Sequence, residues 1–340
     1  MLSLIVPARN EEKVIRNCIK SLLNLDYPKD KLEIIVSIDG STDKTLDICK
    51  GFEPQIKVIE SNPKKCKAGA LNEVIPNAKG EIIGIYDADC IVDKNCLKDA
   101  IKHFSDKKIG GVCGNLRSYN KKQTIVTRAL ALETTFISFT EYFLNGLGAN
   151  SHFFGKNMFI RKEVLKEVGF FDPDVFADDL DMSIKLKKYN YKTVFEPNAV
   201  AWHEEPPTLK AFLKQRTRWV RGTIKLLRQK RRHGKNFLSD VMHGTHFFVP
   251  PFGLITATIL ALSIQFNLPF FITLPFLGLF LFNMLLLVSS IVYFKRSFKD
   301  LFYLPVWFVL TNIHLVLIFK SFIDEKLNKE ISWNSVRAFC

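Results

Sequence analysis

Residues 82–89 read Ile-Ile-Gly-Ile-Tyr-Asp-Ala-Asp, an uncharged run that ends in two carboxylates at alternate positions. An apolar run of this length predicts a buried strand over 82–86. Asp87 and Asp89 then lie just beyond its carboxyl end, where an α/β sheet binds its ligands. Two carboxylates so placed can reach one divalent cation. Hard ions such as Mg²⁺ or Mn²⁺ prefer such oxygens together with phosphate oxygens. An isolated Asp-x-Asp is common by chance, so its weight depends on its surroundings.

Outward from this stretch, β-branched runs at 2–6, 32–38, 56–59 and 110–114 alternate with helical spacing at 11–23, 43–51, 68–78 and 93–104. That alternation predicts an α/β fold with a mostly parallel sheet covered by helices. The first strand ends in Pro7-Ala8-Arg9-Asn10-Glu11 and the second in Asp39-Gly40-Ser41-Thr42-Asp43. A carboxylate at a strand end can accept hydrogen bonds from a base or ribose, and the Gly-Ser-Thr turn caps the next helix. An ordinary strand-to-helix turn fits the same residues.

Ala177-Asp178-Asp179-Leu180-Asp181 opens a helical run to Lys188. Three acids in a first turn suit the helix dipole. Their mutual repulsion also raises the proton affinity of one of them toward that of a useful base, and the sequence leaves both readings open. Gln215-Arg216-Thr217-Arg218-Trp219 lies within an amphipathic segment, 208–227, where Gln215, Arg218 and Trp219 share a face. An amide and a guanidinium there suit a pyrophosphate and an indole suits a sugar ring, although interfacial anchoring uses the same residue types.

The 340 residues carry a formal net charge of +14, and the composition changes character along the chain. Soluble patterning runs to Glu205, whereas apolar stretches at 247–266, 268–294 and 301–322 are each long enough to cross a bilayer. The basic run 225–235 immediately precedes them, as expected of a cytoplasmic membrane flank. No nucleic-acid module accompanies the charge, so nucleic acid is not expected as a partner. Segment 129–147 is strongly apolar, but Glu133 and Glu141 point to a core or interfacial helix rather than a span. The loop with Lys295, Arg296 and Lys299 is expected to be cytoplasmic; three crossings then place Cys340 outside, against the basic tail of Lys326, Lys329 and Arg337. Seven cysteines without paired metal-ligand spacing indicate a reducing compartment, and residues 1–7 read as a strand rather than a signal peptide. The expected organisation is a catalytic domain (1–205), an amphipathic interfacial region (206–242), transmembrane helices (243–323) and a polar tail (324–340).

Taken in order, Val6-Pro7-Ala8-Arg9-Asn10-Glu11-Glu12, Asp39-Gly40, Lys67-Ala68-Gly69-Ala70-Leu71-Asn72, Asp87-Ala88-Asp89, Asp178-Asp179 and Gln215-x-x-Arg218-Trp219 resemble glycosyltransferase family 2. Within it they are similar to the membrane-bound synthase branch of cellulose, hyaluronan and poly-N-acetylglucosamine synthases. The resemblance extends from Leu2 as far as Gly222. It implies the GT-A fold of nucleotide-diphospho-sugar transferases, with interfacial amphipathic helices and a C-terminal transmembrane helical region. It also implies a multi-pass enzyme of the cell membrane with a cytoplasmic catalytic domain and an inverting single displacement. The expected partners are a nucleotide-sugar donor carrying UDP, a glycan or lipid-linked acceptor, and membrane lipids.

By the same resemblance Pro7, Ala8, Glu11 and Asp39 hold the nucleotide, Lys67 lies near its base or phosphates, and Asp87 helps to bind it. Asp89 coordinates Mg²⁺ or Mn²⁺, and Asp179 is the general base. Asp178, Gln215, Arg218 and Trp219 sit beside the pyrophosphate and acceptor. The chain departs from the pattern in carrying Asp178 where the family has Glu. Polymer synthesis and transfer of one or a few sugars to a lipid-linked or glycan acceptor both fit, as does transfer to polyprenyl phosphate. A nucleotidyltransferase and a non-catalytic membrane scaffold are the competing classes.

Overall fold

Strand β1 (Leu2–Ala8) is buried along its whole length, Ser3 included, as its largely apolar run requires of a strand flanked by neighbours and covered on both faces. The structure, a computed structural model, describes residues 1–61, 66–175, 177–228, 258–259, 261–263, 265–266 and 269–327. β1 pairs in parallel with β2 (Leu32–Asp39) on one side and β4 (Ile82–Ile85) on the other, and β2 pairs in parallel with β3 (Lys57–Ser61). Helix α1 (Ile15–Leu23) buries Ile15, Cys18, Ile19 and Leu22, the spacing of one helical face. Helices α2 (Thr45–Lys50), α3 (Lys67–Val74) and α4 (Cys96–Ile101) follow the strands as expected.

Parallel pairing predominates as expected, but the other half of the sheet is mixed. The full order is β3-β2-β1-β4-β7-β6-β8-β5. β7 (Met158–Arg161) runs antiparallel to both β4 and β6 (Ile109–Ser118); β8 (Lys192–His203) is parallel to β6 and antiparallel to β5 (Ile91–Val92). Pro197 and Asn198 interrupt the apolar pattern of β8, and the ladder shifts register between Gly114 and Asn115. The backbone carbonyls freed there are not orphaned, because the fully buried Asn157 amide donates to Asn115 O and Ala199 O at 3.2 and 2.9 Å.

Helix α5 (Ile125–Gly146) begins at a capping box in which Thr124 and Thr127 satisfy each other's backbone donors. As expected, it is a core helix. Its residues Ala129, Leu130, Leu132, Phe136 and Phe139 form one apolar cluster with Phe212, Leu286, Leu287, Ile291, Trp307 and Leu310. These partners come from α8 (Leu209–Arg228), α9 (Phe270–Tyr293) and α10 (Leu304–Lys326); α6 (Lys162–Glu167) and α7 (Asp178–Lys188) complete the helices used below. α9 and α10 answer to the second and third apolar stretches. Thr273–Tyr293 and Phe298–Asp324, which overlap them, are long and apolar enough to cross a membrane, and only 22% and 24% of their most apolar windows are buried, whereas a soluble core helix would be mostly covered. Most of the first apolar stretch, 247–266, falls outside the described residues, as do 229–235 of the basic run and the tail beyond Leu327.

Candidate active site

Because β2, β1 and β4 are parallel neighbours, the turns after Ala8, Asp39 and Ile85 emerge on one edge. The first two turns are lashed together. Asn10, at φ 56°, accepts from Thr42 N at 2.8 Å and donates its own N–H to Ser41 Oγ at 3.1 Å. Glu11 N donates to Thr45 Oγ1 at 2.8 Å and Glu12 N to Asp43 Oδ2 at 3.2 Å. Ser41 and Thr42 therefore serve the loop pairing, and Asp43, which accepts from Thr45 N at 3.0 Å, fills the helix-start role expected of them. Pro7, Ala8 and Glu11 are buried at this edge. Asp39 has no exposed surface, and the Arg9 guanidinium stands 3.7 Å from its Oδ2.

Asp87 and Asp89 follow β4 on either side of the buried Ala88. Lys67, at the start of α3, brings its ammonium to 2.9 Å from Asp87 Oδ1 and 3.8 Å from Asp178 Oδ2, and donates to Gly155 O. Lys156 approaches from the other side, 3.3 Å from Asp89 Oδ1 and 3.6 Å from Asp87 Oδ2. Burial pushes the Asp87 carboxyl up, but Lys67, Lys156 and Arg218 outweigh it and hold the group below its ordinary range. Burial likewise opposes the charge on both lysines, and the facing carboxylates hold each above its ordinary value.

Asp178 and Asp179 open α7, so the helix start points at this cluster. Asp179 Oδ1 accepts from Leu180 N at 2.8 Å. Burial, and then the neighbouring charge of Asp178, push its carboxyl up to about 7, against the pull of Lys67. Asp181, the third acid of the motif, pairs instead with Lys185 at 2.9 Å. Ser183 Oγ donates to Asp179 O and accepts from Phe153 N, each at 2.9 Å, which ties α7 to the loop before β7. Glu141 of α5 holds the same loop by accepting from Ser151 Oγ at 2.8 Å and His152 N at 3.1 Å.

α8 brings the last motif. The charge of Arg218 is felt at both Asp87 and Asp179, so this face of the helix looks onto the acidic cluster. Gln215 Oε1 and Arg218 Nε are buried without a hydrogen-bond partner among the described residues, as befits groups that await a polar ligand. Trp219 is 36% exposed, and the Arg216 guanidinium lies 4.4 Å from its ring centroid. Arg216 in turn forms a buried ion pair with Glu133 of α5.

The structure therefore brings Lys67, Asp87, Asp89, Asp178, Asp179 and Arg218 to one cleft, with Pro7, Ala8, Glu11 and Asp39 along the same edge. Sequence reading missed Arg9 as the cover of Asp39, and it missed Gly155 and Lys156. The only signal for the latter was the pair Gly155 and Asn157, which adopt φ 74° and 56° and mark a tight turn. A Cβ at Gly155 would stand 3.1 Å from Asp179 Oδ2. Gly155→Ala should therefore destabilise the chain by about 1–2 kcal/mol through its left-handed backbone and lower turnover disproportionately. Thermal melting alongside initial rates checks this; wild-type kinetics in the variant would contradict the contact.

Three comparisons with known proteins agree in kind. Residues 3–169 match the family described as Glycosyl transferase family 2. A probable glycosyltransferase of Bacillus subtilis, YdaM, is 35% identical over 234 residues, covering 65% of this chain and 54% of that protein. Poly-beta-1,6-N-acetyl-D-glucosamine synthase of Staphylococcus epidermidis is 32% identical over 230 residues, covering 66% of this chain and 55% of that one. The chain thus spans about half the length of these curated relatives. Among solved structures, a mannosyltransferase from Pyrobaculum calidifontis in complex with GDP-Man and Mn²⁺ superposes with a TM-score of 0.65 at 21% identity, covering 97% of this chain and 88% of that one.

Proposed function

We propose, from the match of residues 3–169 to Glycosyl transferase family 2, that this chain transfers a sugar from a nucleoside diphosphate donor, a UDP-sugar, to a hydroxyl of a glycan or lipid-linked acceptor, with inversion at the anomeric carbon. The observation that carries this reading is Asp179. Its carboxyl, pushed up to about 7, stands near Asp87, Asp89 and Asp178, which face lysine ammoniums. A base with that proton affinity can take the acceptor's hydroxyl proton as the oxygen attacks the sugar.

The remaining roles follow from charge and shape. Lys67 and Arg218 offer positive charge to the departing diphosphate, and Gln215 offers an amide to its oxygens. Trp219 gives the acceptor sugar a flat, partly exposed ring, fixed from behind by Arg216. Pro7, Ala8, Glu11 and the Arg9–Asp39 pair frame the nucleoside end. Asp178 holds Lys67 in place and raises the proton affinity of Asp179.

Asp89, with Asp87 beside it, fits a hard divalent ion such as Mg²⁺ or Mn²⁺. No group of three His, Cys, Asp or Glu residues comes together among the described residues, so such an ion would draw further oxygens from the donor's phosphates. Its contribution is to neutralise charge on the leaving diphosphate. The outward apolar faces of α9 and α10 support a membrane-seated enzyme, and the basic run 225–235 is what favours placing its cleft at the cytoplasmic face.

The test is a panel of UDP- and GDP-linked sugars given to the full, detergent-solubilised chain. The expected outcome is release of nucleoside diphosphate, fastest from a UDP-sugar. Turnover should rise from pH 6 toward 8 with an acidic limb near 7, because Asp179 acts only as the carboxylate. Release of pyrophosphate would transfer the assignment to a nucleotidyltransferase. Product analysis then separates elongated glycan from a single sugar on polyprenyl phosphate.

A further inference from the structure

We propose that Lys156 is a built-in cation that holds the place of the divalent metal beside Asp87 and Asp89 and yields it to the donor's diphosphate, so that metal and nucleotide bind as a coupled pair. This deepens the transferase reading above and rests on it.

The Lys156 ammonium lies 3.3 and 3.4 Å from the two Asp89 oxygens and 3.6 Å from Asp87 Oδ2, with only 17% of its side chain exposed. It therefore sits in the region that a small hard cation needs in order to reach those carboxylates, and two positive centres cannot share it without strong repulsion. Lys67 neutralises the far side of Asp87 and Asp178. Without nucleotide, the acids are thus already matched by ammoniums, and a divalent ion gains little by displacing them.

A diphosphate alters that balance. It gives the Lys156 ammonium an anionic partner of its own, and the flexible four-carbon stem allows the exchange without backbone movement. The backbone around Lys156 is in fact pinned. Gly155 O accepts from Lys67, and the Asn157 side chain bonds Asn115 O and Ala199 O. Lys67 is the less mobile lysine, tied to Asp87, Asp178 and Gly155 O, whereas Lys156 meets only the two carboxylates among the described residues. Once Lys156 turns onto phosphate, its charge no longer opposes a metal beside Asp89, and the same phosphates also bind that metal. Linkage makes the effect reciprocal: nucleotide strengthens metal binding by the factor with which metal strengthens nucleotide binding.

The experiment is Mn²⁺ binding to the full detergent-solubilised chain, read from the paramagnetic resonance signal of the free ion, with and without UDP and with UDP–Mn²⁺ association subtracted. Lys156→Gln should bind Mn²⁺ in the absence of UDP about tenfold or more tightly than wild type, within the range of ordinary coupling between sites. UDP should tighten Mn²⁺ binding in wild type by a factor that the variant has largely lost. Lys156→Arg, which keeps the charge, should bind Mn²⁺ as weakly as wild type. Should Lys156→Gln not fold, Lys156→Met removes the charge with the nearest shape and carries the same comparison. Equal Mn²⁺ affinity with and without the lysine charge, or an equal gain on adding UDP, overturns the proposal and leaves the transferase reading standing. Failure of wild type to bind either UDP or GDP would instead remove the transferase reading.

Discussion

Asp179→Asn should reduce sugar transfer by about 10²–10⁴-fold, the range a positioned general base supplies, while UDP affinity stays within about threefold of wild type, well short of the loss of a charged contact. The substitution keeps the size of the side chain and an oxygen that can still accept from Leu180 N. What it removes is the basic oxygen. A second readout separates this from a folding defect. The folded-state proton affinity of Asp179 is raised above that of the unfolded chain, so its contribution to stability is full below the unfolded value near 3.8 and is lost as pH rises through about 7. Asn does not ionise, so the variant should melt at the same temperature as wild type or higher at pH 8. A variant that retains more than a tenth of wild-type transfer, on the scale of losses expected for such a base, would show that the proton goes elsewhere.

Glu133→Ala should be the most damaging change outside the cleft. Glu133 and Arg216 are both nearly sealed from solvent, with side-chain exposures of 8% and 7%. Removing one partner leaves a guanidinium buried without its counter-charge, a loss of about 3–5 kcal/mol. Arg216 also lies over the rings of Phe212 and Trp219, so the damage should reach Trp219 and weaken acceptor use more than donor use. The matched double variant Glu133→Leu with Arg216→Met should recover most of the melting temperature, since an apolar pair can replace a buried ion pair at little cost. It should not recover acceptor affinity. Melting curves and acceptor KM together test both halves, and a single variant that melts like wild type would show that the pair contributes little.

The sequence carried the parallel half of the sheet clearly, because runs such as Leu2–Ala8 and Ile82–Ile85 are apolar on both faces and end in turn residues. It did not disclose β7, a run of four residues too short to separate from helix, or β8, whose Pro197 looks like a break but sits at a register shift. The carboxylates of the cleft were legible from their positions after strands or at a helix start. Their partners were not. Lys156 meets Asp89 across 67 residues of chain, and nothing local marks that encounter. Helical geometry explains why the acids at 178–181 divide as they do: two residues along a helix turn a side chain by about 200°, which faces Asp179 toward the cleft and Asp181 toward Lys185.

The two anchor points of α5 have a mechanical consequence. Near its start the helix grips α8 through Glu133, and near its end it grips the loop of Gly155 and Lys156 through Glu141. Its apolar side is packed against α9 and α10. Any displacement of α5 against α9 and α10 would therefore reach the lysine and the indole alike.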